Sequence, residues 1–367
     1  MAIELLRPNS DVSVELTRSG GSYNYEMVDE DYPKDDDVTC NINTADTYKV
    51  DIYGFSNIAS IMKGTITNVR VVSYCKCYLW WGATASIKIK NAVKPGSTVY
   101  YGSEITSSYL GYTKTVTDWA TNPDGGDWTW DAIDNIAAGV AIRRYTGICD
   151  ARVTQLFIEI TYTLPSGESI RPTSDIVKEL TPSSGSDNYA MVDEEVLSSA
   201  DSNAIWQYNG EKKDIYGLSN HSTGSGTINY ITVVANGQGG QLSVIGNGKL
   251  TPYIRVKTNG SWTEYAGTRK HMAQTGELYY SQSWTINPNT SAAWSWDDID
   301  NLQAGWSLTG KGLVVEYVAV YQVYIIINYT PAAGNIKKIN TVEWASVKKY
   351  IGVVKASIKK ASGVSAA

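Results

Sequence analysis

The sequence predicts an all-β protein: two tandem antiparallel β-sandwiches of jelly-roll type, each with one short helix, followed by a short tail of strands and turns. Three observations carry this reading. Apolar residues recur with period two, as on a half-buried strand. A set of motifs occurs twice in the same order. The composition changes abruptly near residue 332.

The duplication is read from matched residues. Arg7-Pro8 with Ser10-Asp11 recurs as Arg171-Pro172 with Ser174-Asp175, and Asp51-Ile52-Tyr53-Gly54 as Asp214-Ile215-Tyr216-Gly217. Tyr25, Met27, Val28, Asp29 and Glu30 recur as Tyr189, Met191, Val192, Asp193 and Glu194. Asn122-Pro123, Trp128-Thr-Trp130-Asp131 and Ile133-Asp134-Asn135 recur as Asn287-Pro288, Trp294-Ser-Trp296-Asp297 and Ile299-Asp300-Asn301. This predicts one copy in residues 1–165, a linker at 166–170, a second copy at 171–331 and a separate tail at 332–367.

Within each copy the strands read clearly. Leu156, Ile158, Ile160 and Tyr162 alternate with Gln155, Glu159 and Thr161, Phe157 being the apolar exception. Val323, Ile325, Ile327 and Tyr329 repeat the pattern, but Tyr324 and Ile326 make the other face less polar, which predicts a strand covered on both sides. Ile87 and Ile89 alternate with Lys88 and Lys90, and Ile254 and Val256 with Arg255 and Lys257. Val, Ile, Thr, Tyr and Trp fill such runs because they suit a pleated, half-buried surface. Asp131 and Asp297 are expected to cap the two short helices, with Asp134 and Asp300 in the first turn and Gly139 and Gly305 at the left-handed C-terminal turn. Trp128 and Trp130 are expected to pin the first helix to the sheets.

The composition excludes several functions. The net charge is −6, which argues against a nucleic-acid binder. With 2 His and no paired Cys motif, a zinc enzyme is not expected, and no cofactor or metal site is assigned. Cys40, Cys75, Cys77 and Cys149 all lie in the first copy; buried free thiols are favoured over a disulfide, and a disulfide over a metal site. The acidic run of Asp29, Glu30, Asp31 and Asp35–Asp37 lacks a calcium-loop pattern and reads as a solvated loop. No G-x-S-x-G and no phosphate-binding glycine loop is present, and nothing points to an enzyme. His221 and His271 lie in polar surroundings. The N-terminal residues lack a signal-peptide pattern, and no apolar run is long enough for membrane insertion. Trp80-Trp81 puts two indoles on opposite faces of a strand, making these residues candidates for a ligand platform; Tyr100-Tyr101 and Tyr279-Tyr280 are read as a matched pair of the same kind.

The tail is different material. Residues 332–367 carry seven lysines and one acid, Glu343, hence +6, against −12 for the remainder. Ile336-Lys337-Lys338, Val347-Lys348-Lys349 and Ile358-Lys359-Lys360 begin units spaced eleven residues apart. Asn340-Thr341, Ile351-Gly352 and Ser362-Gly363 take the turn position in each. The β-branched content predicts strand–turn–strand units, too short to bury a face alone. Ile336, Lys337, Lys338, Ile339, Val342, Trp344, Val347, Lys348, Lys349, Ile351, Val353 and Ile358 are therefore the expected assembly contacts.

The repeated W-x-W-D-x-I-D-N-(I/L)-x-A-G element after an Asn-Pro turn, with the opening Arg-Pro-x-Ser-Asp, resembles uncharacterised structural proteins of tailed phages and prophages. The I-K-K-I-N-x-V units are similar to segments that end many phage tail or virion proteins. The resemblance covers most of the chain, through structural motifs only. It implies a non-enzymatic virion component, either a capsid decoration protein or part of a tail or fibre. Such a protein is assembled in the host cytoplasm, with other virion proteins or its own copies as partners and a host-surface glycan or protein as target. The alternatives are a carbohydrate-binding lectin or adhesin and a polysaccharide-cleaving jelly-roll enzyme.

Overall fold

The structure, a computed structural model, describes residues 2–29, 38–58, 60–79, 84–108, 111–195, 203–222, 225–239, 248–258, 260–272, 278–311 and 318–331, and six two-residue strands of the tail. It is an all-β fold of sandwiched sheets. In the first half the strands are β1 (Ala2–Leu6), β2 (Pro8–Ser13), β3 (Thr17–Arg18), β4 (Asn41–Asn43), β5 (Lys49–Phe55), β6 (Thr65–Leu79), β7 (Ser86–Lys94), β8 (Tyr100–Tyr101), β9 (Ile105–Ser107) and β10 (Thr113–Trp119). Helix α1 (Trp130–Asp134) follows, then β11 (Ala137–Thr146) and β12 (Cys149–Thr163). The second half has β13 (Glu168–Ile170), β14 (Pro172–Lys178), β15 (Thr181–Pro182), β16 (Ile205–Gln207), β17 (Asn209–Leu218), β18 (Thr227–Gly239), β19 (Lys249–Thr258), β20 (Ser261–Ala266), β21 (Lys270–His271), β22 (Leu278–Trp284), α2 (Trp296–Asp300), β23 (Leu302–Lys311) and β24 (Val318–Thr330).

Each half has its own six-stranded sheet, β2-β5-β11-β7-β8 with β9 on β7, and β14-β17-β23-β19-β20 with β21 on β19. Both face one sheet of twelve strands whose central path runs β10-β6-β12-β1-β22-β18-β24-β16-β15. Leu156, Ile158, Ile160 and Tyr162 are fully buried, as are Val323, Ile325 and Ile327. Phe157 is explained by Arg7, whose guanidinium lies 5.0 Å from its ring centroid; Arg171 covers Tyr324 at the same distance, and Ile326 beside it is buried.

Most repeated motifs are structural. Asp51 accepts the backbone N–H groups of Glu15 and Leu16, the Asn24 amide and the Tyr53 hydroxyl; Asp214 accepts the same four groups from Glu179, Leu180, Asn188 and Tyr216. A buried carboxylate satisfied this fully fixes three chain segments at one point. Asp11 and Asp175 each accept two further backbone N–H groups, from Asn24 and Tyr25 and from Asn188 and Tyr189.

Four sequence expectations are corrected. Thr129 and Ser295, not Asp131 and Asp297, cap the helices, each accepting an N–H at 3.1 Å; Ser295 completes a capping box with Asp298. Gly139 and Gly305 do not end the helices but lie in β11 and β23, where a Cβ would stand 1.8 and 1.9 Å from the carbonyl oxygens of Asp51 and Asp214. Asn135 and Asn301 terminate the helices instead, donating to Asp131 O and Asp297 O. Residues 168–170, expected in a linker, form β13, which pairs with β24 as β1 pairs with β12. Tyr100-Tyr101 sits in β8 and Tyr279-Tyr280 in β22; Tyr100 matches Tyr265 instead, each donating its hydroxyl to a loop residue, Asp124 and Asn289.

The indole N–H groups of Trp128 and Trp294 donate to the carbonyls of Trp119 and Trp284, both at 2.9 Å. Those of Trp130 and Trp296 donate to Gly64 O and Gly226 O, so both tryptophans of each motif anchor its helix.

The halves are joined through β1. Its residues Ala2 and Leu6 pack in the first core, while Ile3 enters the second, with Leu5 against it. One edge of β1 pairs with β12, and the other meets β22 in parallel, Ala2 opposite Tyr279. There Glu4 and Lys270 form an ion pair of 2.7 Å with side chains 5% and 1% exposed. The Tyr162 hydroxyl meets Ser281 at 2.9 Å, and Ser283 N donates to Ile61 O.

Candidate binding faces

The tail consists of three hairpins: β25 (Lys338–Ile339) with β26 (Val342–Glu343), β27 (Lys349–Tyr350) with β28 (Val353–Val354), and β29 (Lys360–Ala361) with β30 (Val364–Ser365). Their first strands start eleven residues apart, and the two residues expected at each turn separate each pair of strands. Among the described residues each hairpin pairs only with itself. Of the expected assembly residues, Lys338, Ile339, Val342, Lys349 and Val353 lie in these strands. Ile336, Lys337, Trp344, Val347, Lys348, Ile351 and Ile358 lie outside the described residues, as do Trp80, Trp81 and most of the 29–37 acidic run.

A second arrangement lies on the outer face of the first small sheet, where strand alternation turns Lys88, Lys90 and Arg143 away from the core. Arg143 stands 5.1 and 5.3 Å from the ring centroids of Tyr48 and Tyr145, Lys88 4.4 Å from Tyr145 and Lys90 4.9 Å from Tyr48. Glu104 accepts from the Tyr48 hydroxyl at 2.6 Å and pairs with Lys88 at 2.8 Å. Those bonds hold its carboxyl down at about 2, while partial burial and Glu104 push the Tyr48 phenol up to about 12. Tyr101 and Tyr145 are half exposed. The corresponding face of the second half carries the same chemistry at other positions: Lys213 pairs with Glu264 at 2.6 Å and lies over Tyr253, and Arg255 and Lys257 flank Trp262. Three cations against one carboxylate leave each face locally positive. Exposed rings with flanking cations suit ligands having a flat face and negative charge. The sequence signal is the polar side of the period-two strands; Tyr48 and Arg143 carry no signal of their own, because only the fold brings them to Lys90.

The remaining candidates are structural. Asp134 and Asp300 accept loop N–H groups from Ile58 and His221, and Asp300 also meets His221 Nδ1 at 2.7 Å. The four cysteines are free and buried, and burial pushes the Cys75 and Cys77 thiols up to about 12. Among the described residues no three His, Cys, Asp or Glu side chains are grouped to hold a metal ion. An open cavity of about 890 Å³ lies between β9 and β10, lined by Ile105, Ser107, Tyr112, Lys114 and Val116 among others.

No protein-family model matches the sequence, and no curated protein matches it. Among solved structures, the N-terminal CBM22-1-CBM22-2 tandem domain of Paenibacillus barcinonensis Xyn10C is 8% identical, with a TM-score of 0.26, covering 87% of this chain and 100% of that one. The ANXUR2 extracellular domain of Arabidopsis thaliana is 10% identical, with a TM-score of 0.23, covering 87% and 90%. PNGase F of Flavobacterium meningosepticum is 9% identical, with a TM-score of 0.23, covering 89% and 96%.

Proposed function

We propose that this chain is a non-enzymatic structural component of a phage virion, a capsid decoration protein or part of a tail or fibre. It assembles through the tail with other virion proteins or copies of itself, and displays its β-sandwiches toward a host-surface glycan or protein. The observation that carries the reading is the tail: three hairpins at a fixed interval, each paired only with itself among the described residues, on a segment of charge +6 beside a remainder of −12. Hairpins of two-residue strands are marginal alone and present open backbone edges to any strand that can add to them. The test compares the full chain with one truncated after Gly334, by mass in solution and by incorporation into particles. Truncation is expected to leave the melting transition in place and to abolish assembly; equal assembly by both forms refutes the proposal.

The outer sheet faces favour a second reading, a carbohydrate-binding adhesin, because Tyr145 is half exposed beside Lys88 and Arg143. Arg143→Ala with Tyr145→Ala would then lower binding to a glycan array; an array on which the wild-type chain binds nothing removes this reading.

A further inference from the structure

The two halves differ at one matched place, and the difference exposes an acceptor site. Strand β22 matches β10, since Trp294 and Trp128 donate to the terminal residues of each, Trp284 and Trp119. Strand β21 matches β9, since Lys270 and Ile105 pair with Leu250 and Ile89, which in turn pair with Leu308 and Ile142. In the second half the place beside β21 and β22 is occupied by β1, with Ile3 in the core and Glu4 on Lys270. In the first half the same place is the open cavity between β9 and β10. Among the described residues β10 pairs only with β6, so its other edge is free. Val116, at the position of Ser281, is 42% exposed there. Ile105 stands where the second half has Lys270, and the cavity's cation is instead Lys114, at the position of Tyr279.

What fills the matched site defines the missing occupant: an extended apolar segment with one carboxylate, running beside the strand. The counterpart of β1 cannot serve from another copy. Gly167, just before β13, and Ser169 within it stand where β1 has Ile3 and Leu5, so that segment lacks the apolar side chains the place takes. The chain outside both sandwiches holds one segment of the required pattern. Val342-Glu343-Trp344 alternates as Ile3-Glu4-Leu5 does, and Glu343 is the tail's single acid. The chain's own tail falls short. Thr330 to Lys338 reaches at most ~29 Å when extended, whereas the place beside β10 lies seven strand spacings from β24, and β25, paired outside β26 there, would lie eight away, roughly 38 Å.

We propose that the β10 edge and the cavity beside it accept the tail of a second copy, with Val342 and Trp344 entering as Ile3 and Leu5 do in the second half, and Glu343 meeting Lys114. This rests on the assembly reading of the tail and names its acceptor. The test uses the full chain and a charge exchange, with mass in solution measured over a concentration series. Lys114→Glu alone and Glu343→Lys alone should each weaken self-association by roughly tenfold or more, the effect of losing a charged hydrogen bond. The double exchange should restore it. Lys114 is exposed, so an unchanged melting transition checks that folding is intact. Unaltered association in either single exchange, or no recovery in the double, overturns the acceptor assignment. If truncation after Gly334 still abolishes association in that case, the tail reading stands and only its acceptor is lost. A 114–343 crosslink within one monomeric chain refutes the second copy as donor.

Discussion

Replacing Lys270 by Met tests how the two halves are held together. The substitution keeps the side chain's length and removes only its charge, at a position 1% exposed, 2.7 Å from Glu4. At that distance and an effective dielectric of about 20 the pair's attraction is about 6 kcal/mol. Desolvation costs several kcal/mol for each ion, so the intact pair contributes little net stability. Loss of one partner is different, because the Glu4 carboxylate is left buried without its counterion. The expected cost is about 3–5 kcal/mol at neutral pH. Burial already raises the Glu4 pKa, against the opposing pull of Lys270, and removing the ammonium raises it further. The folded state then binds a proton more tightly than the unfolded one. Stability of the variant should therefore fall as pH rises from the ordinary carboxylate value of about 4 to the raised folded value, by about 1.4 kcal/mol per unit. Urea unfolding from pH 4 to 8 measures this, and adding Glu4→Gln to the variant should flatten the slope and recover most of the loss. A penalty under about 1 kcal/mol at neutral pH, or one independent of pH, would refute the reasoning.

Three further outcomes follow from the same geometry. Thr129→Ala and Ser295→Ala should each lower stability by about 1 kcal/mol, the usual effect of losing a cap, while Asp131→Ala should change it by a few tenths; thermal melts of the three variants decide which residue caps. Gly139→Ala places a methyl 1.8 Å from Asp51 O and should cost roughly 3 kcal/mol, seen as a lower urea midpoint, whereas Gly126→Ala, with nothing within 4 Å of its Cβ but a φ of +77°, should cost less. In the native protein at pH 8, Cys75 and Cys77 should resist thiol reagents, being buried with pKa values pushed up to about 12; all four cysteines should react in urea, and rapid native labelling of Cys75 would contradict the packing of β6.

Features set by local rules were legible in the sequence. Period two marked β7, β12, β19 and β24 because alternate residues of a strand face opposite ways. The eleven-residue period located the tail turns because a hairpin of fixed length repeats its turn at that interval. The helices are legible, but their caps read two residues too late, since Thr129 and Asp131 are both cap-forming types and only the backbone decides between them. Gly139 looked like a helix terminator because its need for space comes from Asp51, far away in the chain. The two Tyr-Tyr pairs match by identity alone, whereas sheet register assigns them to different strands. The Glu4–Lys270 pair joins residues 266 positions apart, and no local pattern announces it. The cation–aromatic faces were half visible, as lysines alternating with isoleucines, while their tyrosine partners come from neighbouring strands.

The shared strand also governs the order of events when the chain is made. β1 finds its first partner only when residues near Tyr162 are available, and its second only when Tyr279 is. β1 is synthesised before either partner and is thus satisfied on both edges only late, and until then its five residues, four of them apolar, keep an unpaired edge. Contacts of such long range carry the loop-closure penalty that slows β-rich folding. The first sandwich can close before the second is synthesised, but the face of β1 carrying Ile3 is covered only after most of the second sandwich exists. The two halves are therefore linked kinetically: synthesis of the second half is the step that removes the last exposed apolar strand of the first.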